Sequence, residues 1–450
     1  MSEIIKIKRG LDIKLQGKAE KNLIKAGSSG PYALKPTDFI GLFPKLNIQA
    51  GDPVKIGTAL FSDKARPEIK FVSPVSGKVT EIIRGEKRKI LSVIMESDGK
   101  DDFMKFFSGD PLTLSPGKIT ETLLESGTWP LIRQRPYNVI ANPKQKPKAI
   151  FISGFDSAPL SPDLDFIMKD MEKEFQTGIN ALKKLTEGKV HLSLPADSEV
   201  CPAFSKASGV ELHYFKGPHP AGNPGIQIHH IDPINKGEVA WVVSPQGVAS
   251  IGKLFIEGSY DNNITLALTG SEVSKPAYYK LIKGASILSL LKENTSSKEL
   301  RIISGNVLTG SQLMKDGFLG FYDNQVTVIP EGKFFDFLGW ALPGLEKFST
   351  SRSFFSWLCP SKQYVLDTNL KGGERAFVIS GQYEKVLPMD IYPVQLIKAI
   401  LAENIDKMEQ LGIYEVVEED MALCEFVCTS KIEVQAILRK GLDLMRKEME

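Results

Sequence analysis

The densest group of chemistry-bearing side chains is Thr128-Trp129-Pro-Leu-Ile-Arg133-Gln-Arg135-Pro136-Tyr137, which sets two aromatic rings and two guanidinium groups in one proline-bracketed stretch. A flat ring can stack on Trp129 or Tyr137 while Arg133 or Arg135 donates hydrogen bonds to a carbonyl or carboxylate. The plainer account of the same residues is a strap between domains, with arginines that snorkel to water.

Three other groups suggest chemistry and lack a part that it needs. Gly247-Val-Ala-Ser-Ile-Gly252-Lys253 has the spacing of a phosphate-binding loop and follows an apolar strand, yet Leu254 stands where such a loop needs Ser or Thr for Mg²⁺. A helix opening at Gly247 and running to Gly258, with Lys253 on its solvent face, accounts for the stretch. The histidines gather at His191, His213, His219, His229 and His230. His229 and His230 would face opposite sides of a strand, and no cysteine or carboxylate completes a recognisable ligand spacing, so no metal site is expected. Cys424 and Cys428 lie one helical turn apart, but an iron–sulfur cluster wants four thiolates, and free, partly buried thiols are expected instead.

These residues need a frame, and 450 residues exceed what one core holds, so three or more domains are expected. With 42% hydrophobic and 24% charged residues, wholesale disorder, collagen and coiled coil are unlike this chain. Lys plus Arg number 56 against 54 for Asp plus Glu, a formal charge of +2, which gives no electrostatic reason to bind nucleic acid or an anionic membrane. Four cysteines suit a reducing compartment rather than a disulfide framework, and no apolar run is long enough for a signal peptide core or a membrane span.

Residues 36–98 read as short strands and turns. Two half-motifs, around Gly51-Asp52 and around Pro74 to Gly77, resemble the halves of a biotinyl or lipoyl carrier domain, a barrel-sandwich hybrid. Asp63-Lys64-Ala65 looks like a lipoylated tripeptide, but the spacings to Gly51 and Pro74 depart from that pattern, and lipoylation is not expected. From Ala149 the pattern alternates strand and helix, including one helical period over 163–185, so a Rossmann-like parallel α/β domain is assigned to 99–258. A short mixed module follows at 259–330, a connecting region at 331–387 and a helical domain at 388–450, with 1–35 as an N-terminal segment.

Taken together, the chain resembles the A-subunit family of Na⁺-translocating NADH:quinone reductases over nearly its whole length. The resemblance is carried by Gly10-Leu-Asp-Ile, Pro36-Thr-Asp-Phe39-Ile-Gly41, Ser73-Pro-Val-Ser-Gly77, the stretch 128–137, His219-Pro-Ala-Gly222, Ile303-Ser-Gly-Asn-Val-Leu308, Pro388-Met-Asp-Ile391 and Glu418-Glu-Asp-Met-Ala-Leu-Cys424-Glu-Phe-Val-Cys428. It implies kinship with the flavin-binding subunit of respiratory complex I and with the C-subunit of the Rnf complex. It also implies a β-grasp (SLBB-like) identity for the 259–330 module.

Those relatives carry a glycine-rich loop for flavin and NADH and a cysteine cluster. Here residues 129–137 stand in the loop's place without a glycine, and the Cys-x₂-Cys-x₂-Cys run is missing. The resemblance therefore implies a peripheral subunit on the cytoplasmic face of the bacterial inner membrane with no redox cofactor of its own. Flavins, iron centres and NADH would sit on partner subunits, and membrane contact would come through partners, especially the B-subunit in the membrane. A contact with quinone or with a partner subunit is expected at Trp129, Arg133, Arg135 and Tyr137. The alternative is a soluble flavin-dependent NADH oxidoreductase.

Overall fold

The computed structural model describes residues 4–25, 30–295, 299–333, 337–339, 341–351 and 353–449. A four-stranded sheet, ordered Pro31–Leu34, Ile90–Ser97, Gly77–Arg84 and Pro53–Val54, faces a three-stranded sheet of Pro44–Leu46, Ala59–Asp63 and Lys70–Val72. Alternation puts Val79, Val93 and Met95 on the inner face of one sheet, and Phe61 stacks on Phe71 at 4.8 Å on the other. This is the barrel-sandwich read from the two half-motifs.

The second domain is built on a seven-stranded sheet. Ile4–Lys6, Glu211–Lys216, Lys189–Pro195, Ala149–Ser153 and Ala240–Val242 run parallel, and Arg133–Arg135 and Val139–Ile140 complete the far edge antiparallel. The expected parallel sheet thus holds for five strands and ends in a hairpin made by the Arg/Trp stretch itself. Ala149–Ser153 is where the order reverses, since Lys189–Pro195 lies on one side and Ala240–Val242 on the other.

Helices Glu172–Lys184 and Pro245–Glu257 cover one face of the sheet, and Pro224–Ile231 packs on the other beside Phe151 and Val242. The single helix expected over 163–185 is two, Leu164–Met168 and Glu172–Lys184, because Met171 leaves helical geometry (φ −111°, ψ 28°). The buried face stays in register across that break, and for this reason periodicity passes over it.

A six-stranded sheet forms the third domain, in the order Ser311–Leu313, Leu300–Ser304, Gln325–Pro330, Asn263–Thr269, Ala277–Ile282 and Glu20–Lys25, with helix Leu288–Asn294. The N-terminal segment 1–35 is therefore shared out: Ile4–Lys6 closes an edge of the second domain, Glu20–Lys25 an edge of the third, and Pro31–Leu34 belongs to the first. Each supplies backbone partners to a sheet edge that would otherwise present unpaired N–H and C=O groups.

Helices Pro393–Leu401, Ile405–Gln410, Glu418–Phe426 and Val434–Met449 make the C-terminal domain. Their buried faces, Val394, Met421, Leu438 and Met445 among them, share one core with Tyr137, Val139, Phe215 and Ile226 of the α/β domain. Among the described residues, no helix is long and apolar enough to cross a membrane.

Candidate functional site

In an open α/β sheet, ligands bind outside the carboxyl ends of the strands, where the strand order reverses. The chain has a cavity of about 210 Å³ there. Ser153, Phe155 and Asp156 enter it from the end of Ala149–Ser153, and Val243, Ser244 and Pro245 from the end of Ala240–Val242. Leu131 and Arg133 form a side wall. The third domain closes the cavity with Lys283, Asn306, Phe321 and Tyr322, and Glu419 reaches it from the C-terminal helices.

The walls are apolar at Leu131, Phe155, Leu308 and Phe321, with polar groups held at set places. The Arg133 guanidinium lies 5.2 Å from the centre of the Tyr322 ring, and Tyr322 Oη donates to the Pro130 carbonyl at 2.8 Å. Among the described residues Arg133 has no carboxylate within hydrogen-bonding reach, so its donors remain available to a ligand. His219 Nδ1 lies 3.0 Å from Ser157 Oγ, which also accepts from Gly222 N–H at 2.8 Å.

Burial shapes the charges around the cavity. It pushes the His219 imidazole down to about 4 against the pull of Glu419, so the ring is neutral near pH 7. It pushes the Asp156 carboxyl up to about 6, with the Ala158 N–H opposing and Glu419 adding to the rise. Burial would raise Glu419 as well, but Arg135 and Arg133 hold it below the usual carboxylate range.

The four side chains expected to act together are separated by the fold. Trp129 is 1% exposed; its ring meets Trp241 edge-on at 5.5 Å, and its indole N–H donates to the Ala141 carbonyl at 2.8 Å. Arg135 is 2% exposed and reaches away to the C-terminal domain, where its guanidinium donates to Glu419 Oε1 at 2.6 Å and lies 3.7 Å from Asp420. Tyr137 is buried against Tyr414, at 6.5 Å between ring centres. Arg133 alone of the four lines the cavity. Arg135 and Tyr137 tie the hairpin to the C-terminal domain, Arg135 paired inside rather than snorkelling, while Trp129 stays within the α/β core.

The other motifs resolve similarly. Gly247 and Gly252 both sit in helix Pro245–Glu257, and a Cβ on Gly252 would stand 1.8 Å from the Glu174 carbonyl oxygen, so this glycine permits the close approach of helix Glu172–Lys184. Lys253 is not turned freely to solvent; it pairs with Asp261 at 3.0 Å. Lys64 is exposed in the turn after Ala59–Asp63. That turn is tied down by Arg66, which bonds Asp63 at 3.0 Å and the Ile140 carbonyl of the next domain at 3.3 Å. Cys428 lies beyond the end of helix Glu418–Phe426 and takes a hydrogen bond from Tyr383 Oη at 3.0 Å; both it and Cys424 are buried.

His229 and His230 lie on helix Pro224–Ile231 rather than a strand, His229 bonded to Glu415 at 2.6 Å and His230 to the Ile226 carbonyl at 2.8 Å. One constellation escaped the sequence. The parallel register Ile150↔Val190 and His191↔Glu211 brings His191, Glu211 and His213 onto one face of the sheet. Both strands are legible from their apolar runs, and alternation sets Glu211 beside His213, but only the pairing of the two strands brings His191 to them.

Three family models match the domains in this order. The family model of the NqrA N-terminal barrel-sandwich hybrid domain matches residues 5–98, that of the NqrA second alpha/beta domain residues 114–260, and that of the NQRA C-terminal domain, an SLBB model, residues 265–315. The A-subunit of the Na(+)-translocating NADH-quinone reductase of Rhodopirellula baltica is 37% identical over 451 residues, covering 99% of this chain and 98% of that protein. The protein of the same name from Vibrio parahaemolyticus is 37% identical over 453 residues, covering 99% and 100%. Among solved structures, an NAD⁺-reducing NiFe hydrogenase in the H2-reduced state aligns with a TM-score of 0.40 at 12% identity, over 75% of this chain and 62% of that one. The three matched domains in their order, and identity sustained from end to end, show that the chain belongs to the NqrA family, the A-subunit of the Na⁺-translocating NADH-quinone reductase.

Proposed function

We propose that this chain serves as a peripheral subunit of a Na⁺-translocating NADH:quinone reductase, at the cytoplasmic face of the bacterial inner membrane. In this reading it is a scaffold that contacts quinone through Arg133, docks on the B-subunit in the membrane and carries no redox cofactor itself. The single observation behind the quinone contact is the cavity at the strand-order reversal, where a guanidinium with no directly bonded carboxylate among the described residues faces apolar walls. Its volume of about 210 Å³ suits a one-ring headgroup and falls below the roughly 300–1,000 Å³ common for larger ligands.

Arg133 would donate to one quinone carbonyl while Phe155 and Phe321 pack on the ring faces. The segment that would hold a glycine-rich nucleotide loop is instead filled by the buried Trp129. For the docking, the connecting region offers Leu342, Leu345, Phe355, Trp357, Leu358 and Leu370, all exposed apolar side chains of the kind that a partner covers.

The test is to recover the complex from detergent-solubilised membranes through a tag on this chain, and to titrate it with a short-chain ubiquinone. Co-recovery of membrane subunits is expected, together with a loss of quinone affinity of about tenfold or more in Arg133→Ala, the worth of a hydrogen bond from a charged donor. Unchanged affinity in an intact Arg133→Ala complex sinks the quinone contact. A chain recovered alone and yellow with flavin would instead favour a soluble flavin-dependent NADH oxidoreductase.

A further inference from the structure

We propose that His191, Glu211 and His213 form a binding site for a divalent transition-metal ion of the Zn²⁺ class, on the sheet face away from helices Glu172–Lys184 and Pro245–Glu257. His191 and Glu211 are register partners on neighbouring parallel strands, and His213 follows Glu211 by two positions, so all three side chains leave the same face. Their ligand atoms lie within 4.8 Å of one another.

The spacing suits one ion. His191 Nδ1 is 2.9 Å from His213 Nε2 and 3.8 Å from Glu211 Oε2. Bond lengths of about 2.0–2.1 Å around a tetrahedral ion put ligand atoms roughly 3.3 Å apart, between these two distances. The three ligand atoms, all within 4.8 Å of one another, would close onto a common centre through side-chain shifts of up to about 1.5 Å.

Two neighbours prepare the set. Phe151 stacks on His191 at 4.7 Å and 22°, which fixes the ring plane, and Lys189 binds the other oxygen, Glu211 Oε1, at 2.6 Å, which leaves Oε2 for a metal. The two imidazoles are borderline ligands, and with them the set selects Zn²⁺, Co²⁺ or Ni²⁺ over Mg²⁺ and Ca²⁺, which prefer all-oxygen sets such as the carboxylate alone could join. Three protein ligands leave a fourth position for water or for a group brought by a partner, on the side where Glu211 is 44% exposed. A bound ion would clip Lys189–Pro195 to Glu211–Lys216, beside the edge strand Ile4–Lys6.

The test uses the full-length chain without a histidine tag, stripped with chelator and titrated calorimetrically with ZnCl₂, with Co²⁺ absorption reporting coordination. One ion per chain is expected, with affinity falling about 100-fold in His213→Gln and at least tenfold in Glu211→Gln. A thermal melt in chelator establishes that each variant folds. Glu211→Gln changes a half-exposed side chain, so it decides the matter even where His213→Gln melts early. Equal Zn²⁺ affinity in wild type and Glu211→Gln, or no saturable binding in the wild type, overturns the site. The same holds if binding persists in both variants, since it then belongs to His219, His229 or His230.

Discussion

The Arg135 guanidinium donates to Glu419 Oε1 at 2.6 Å, joining the antiparallel edge of the α/β sheet to the first turn of helix Glu418–Phe426. Asp420, also buried, lies 3.7 Å from the same guanidinium, and burial pushes its carboxyl above the usual range despite Arg135. One cation therefore serves two carboxylates between two domains, and among the described residues Nε and Nη1 of Arg135 have no hydrogen-bond partner of their own.

Arg135→Ala removes that cation, leaving Asp420 without its facing cation and Glu419 with Arg133 in place of two guanidinium groups. A loss of about 3–5 kcal/mol is expected, the usual cost of breaking a buried pair from one side. Denaturant unfolding of the purified chain measures it. Pairing Arg135→Met with Glu419→Gln should recover part of the loss; a double variant as unstable as Arg135→Ala would show that the arginine acts by packing alone.

Trp129→Phe separates the core from the cavity. The change leaves the Ala141 carbonyl without its indole donor and should lower stability by about 1–3 kcal/mol. Quinone affinity of the assembled complex should stay at the wild-type level, because the Trp129 ring packs on Trp241 and away from the cavity. A drop in affinity comparable to that of Arg133→Ala contradicts this division of roles.

Gly252→Ala tests the contact between helices Glu172–Lys184 and Pro245–Glu257. Alanine ordinarily favours a helix by about 1 kcal/mol over glycine. Here the new methyl would meet the Glu174 carbonyl at 1.8 Å and the Gly178 nitrogen at 2.7 Å, backbone atoms that cannot turn aside. Net destabilisation of about 1–3 kcal/mol and a lower melting temperature are expected. A stabilised variant would mean that the helices separate without cost.

His219→Gln should alter the pH dependence of stability. The folded imidazole is held down to about 4, by burial first, against 6.5 in the unfolded chain. Between these values the unfolded chain binds a proton that the folded chain does not, so this residue makes stability fall as pH drops from 6.5 toward 4. The full span amounts to roughly 3 kcal/mol. Unfolding measured across this window should show a shallower acid loss in His219→Gln, and parallel curves for the two proteins refute the assignment.

The barrel-sandwich, the strands of the α/β domain and the C-terminal helices were legible because alternation and helical periodicity are local properties of the chain. Val79 and Phe61, or Leu438 and Met445, announce a buried face whatever they pack against. The resemblance to the reductase family was likewise carried by short ordered motifs. The division of residues 1–35 among three domains was not visible, since a strand such as Ile4–Lys6 has no partner in its own neighbourhood and is completed by Glu211–Lys216.

The site shows the same boundary. By itself the sequence determined that Trp129, Arg133, Arg135 and Tyr137 come together along the chain, with no glycine among residues 128–137. Only the tertiary structure decided which way each side chain goes. Alternation along Arg133–Arg135 does not say that Arg133 meets Tyr322 at a cavity while Arg135 meets a carboxylate 284 positions later. Nor could spacing supply Glu211 to His191, because a ligand set across two strands exists only through their register. Side-chain type is written in the chain, whereas the partner that gives it a role arrives through long-range packing.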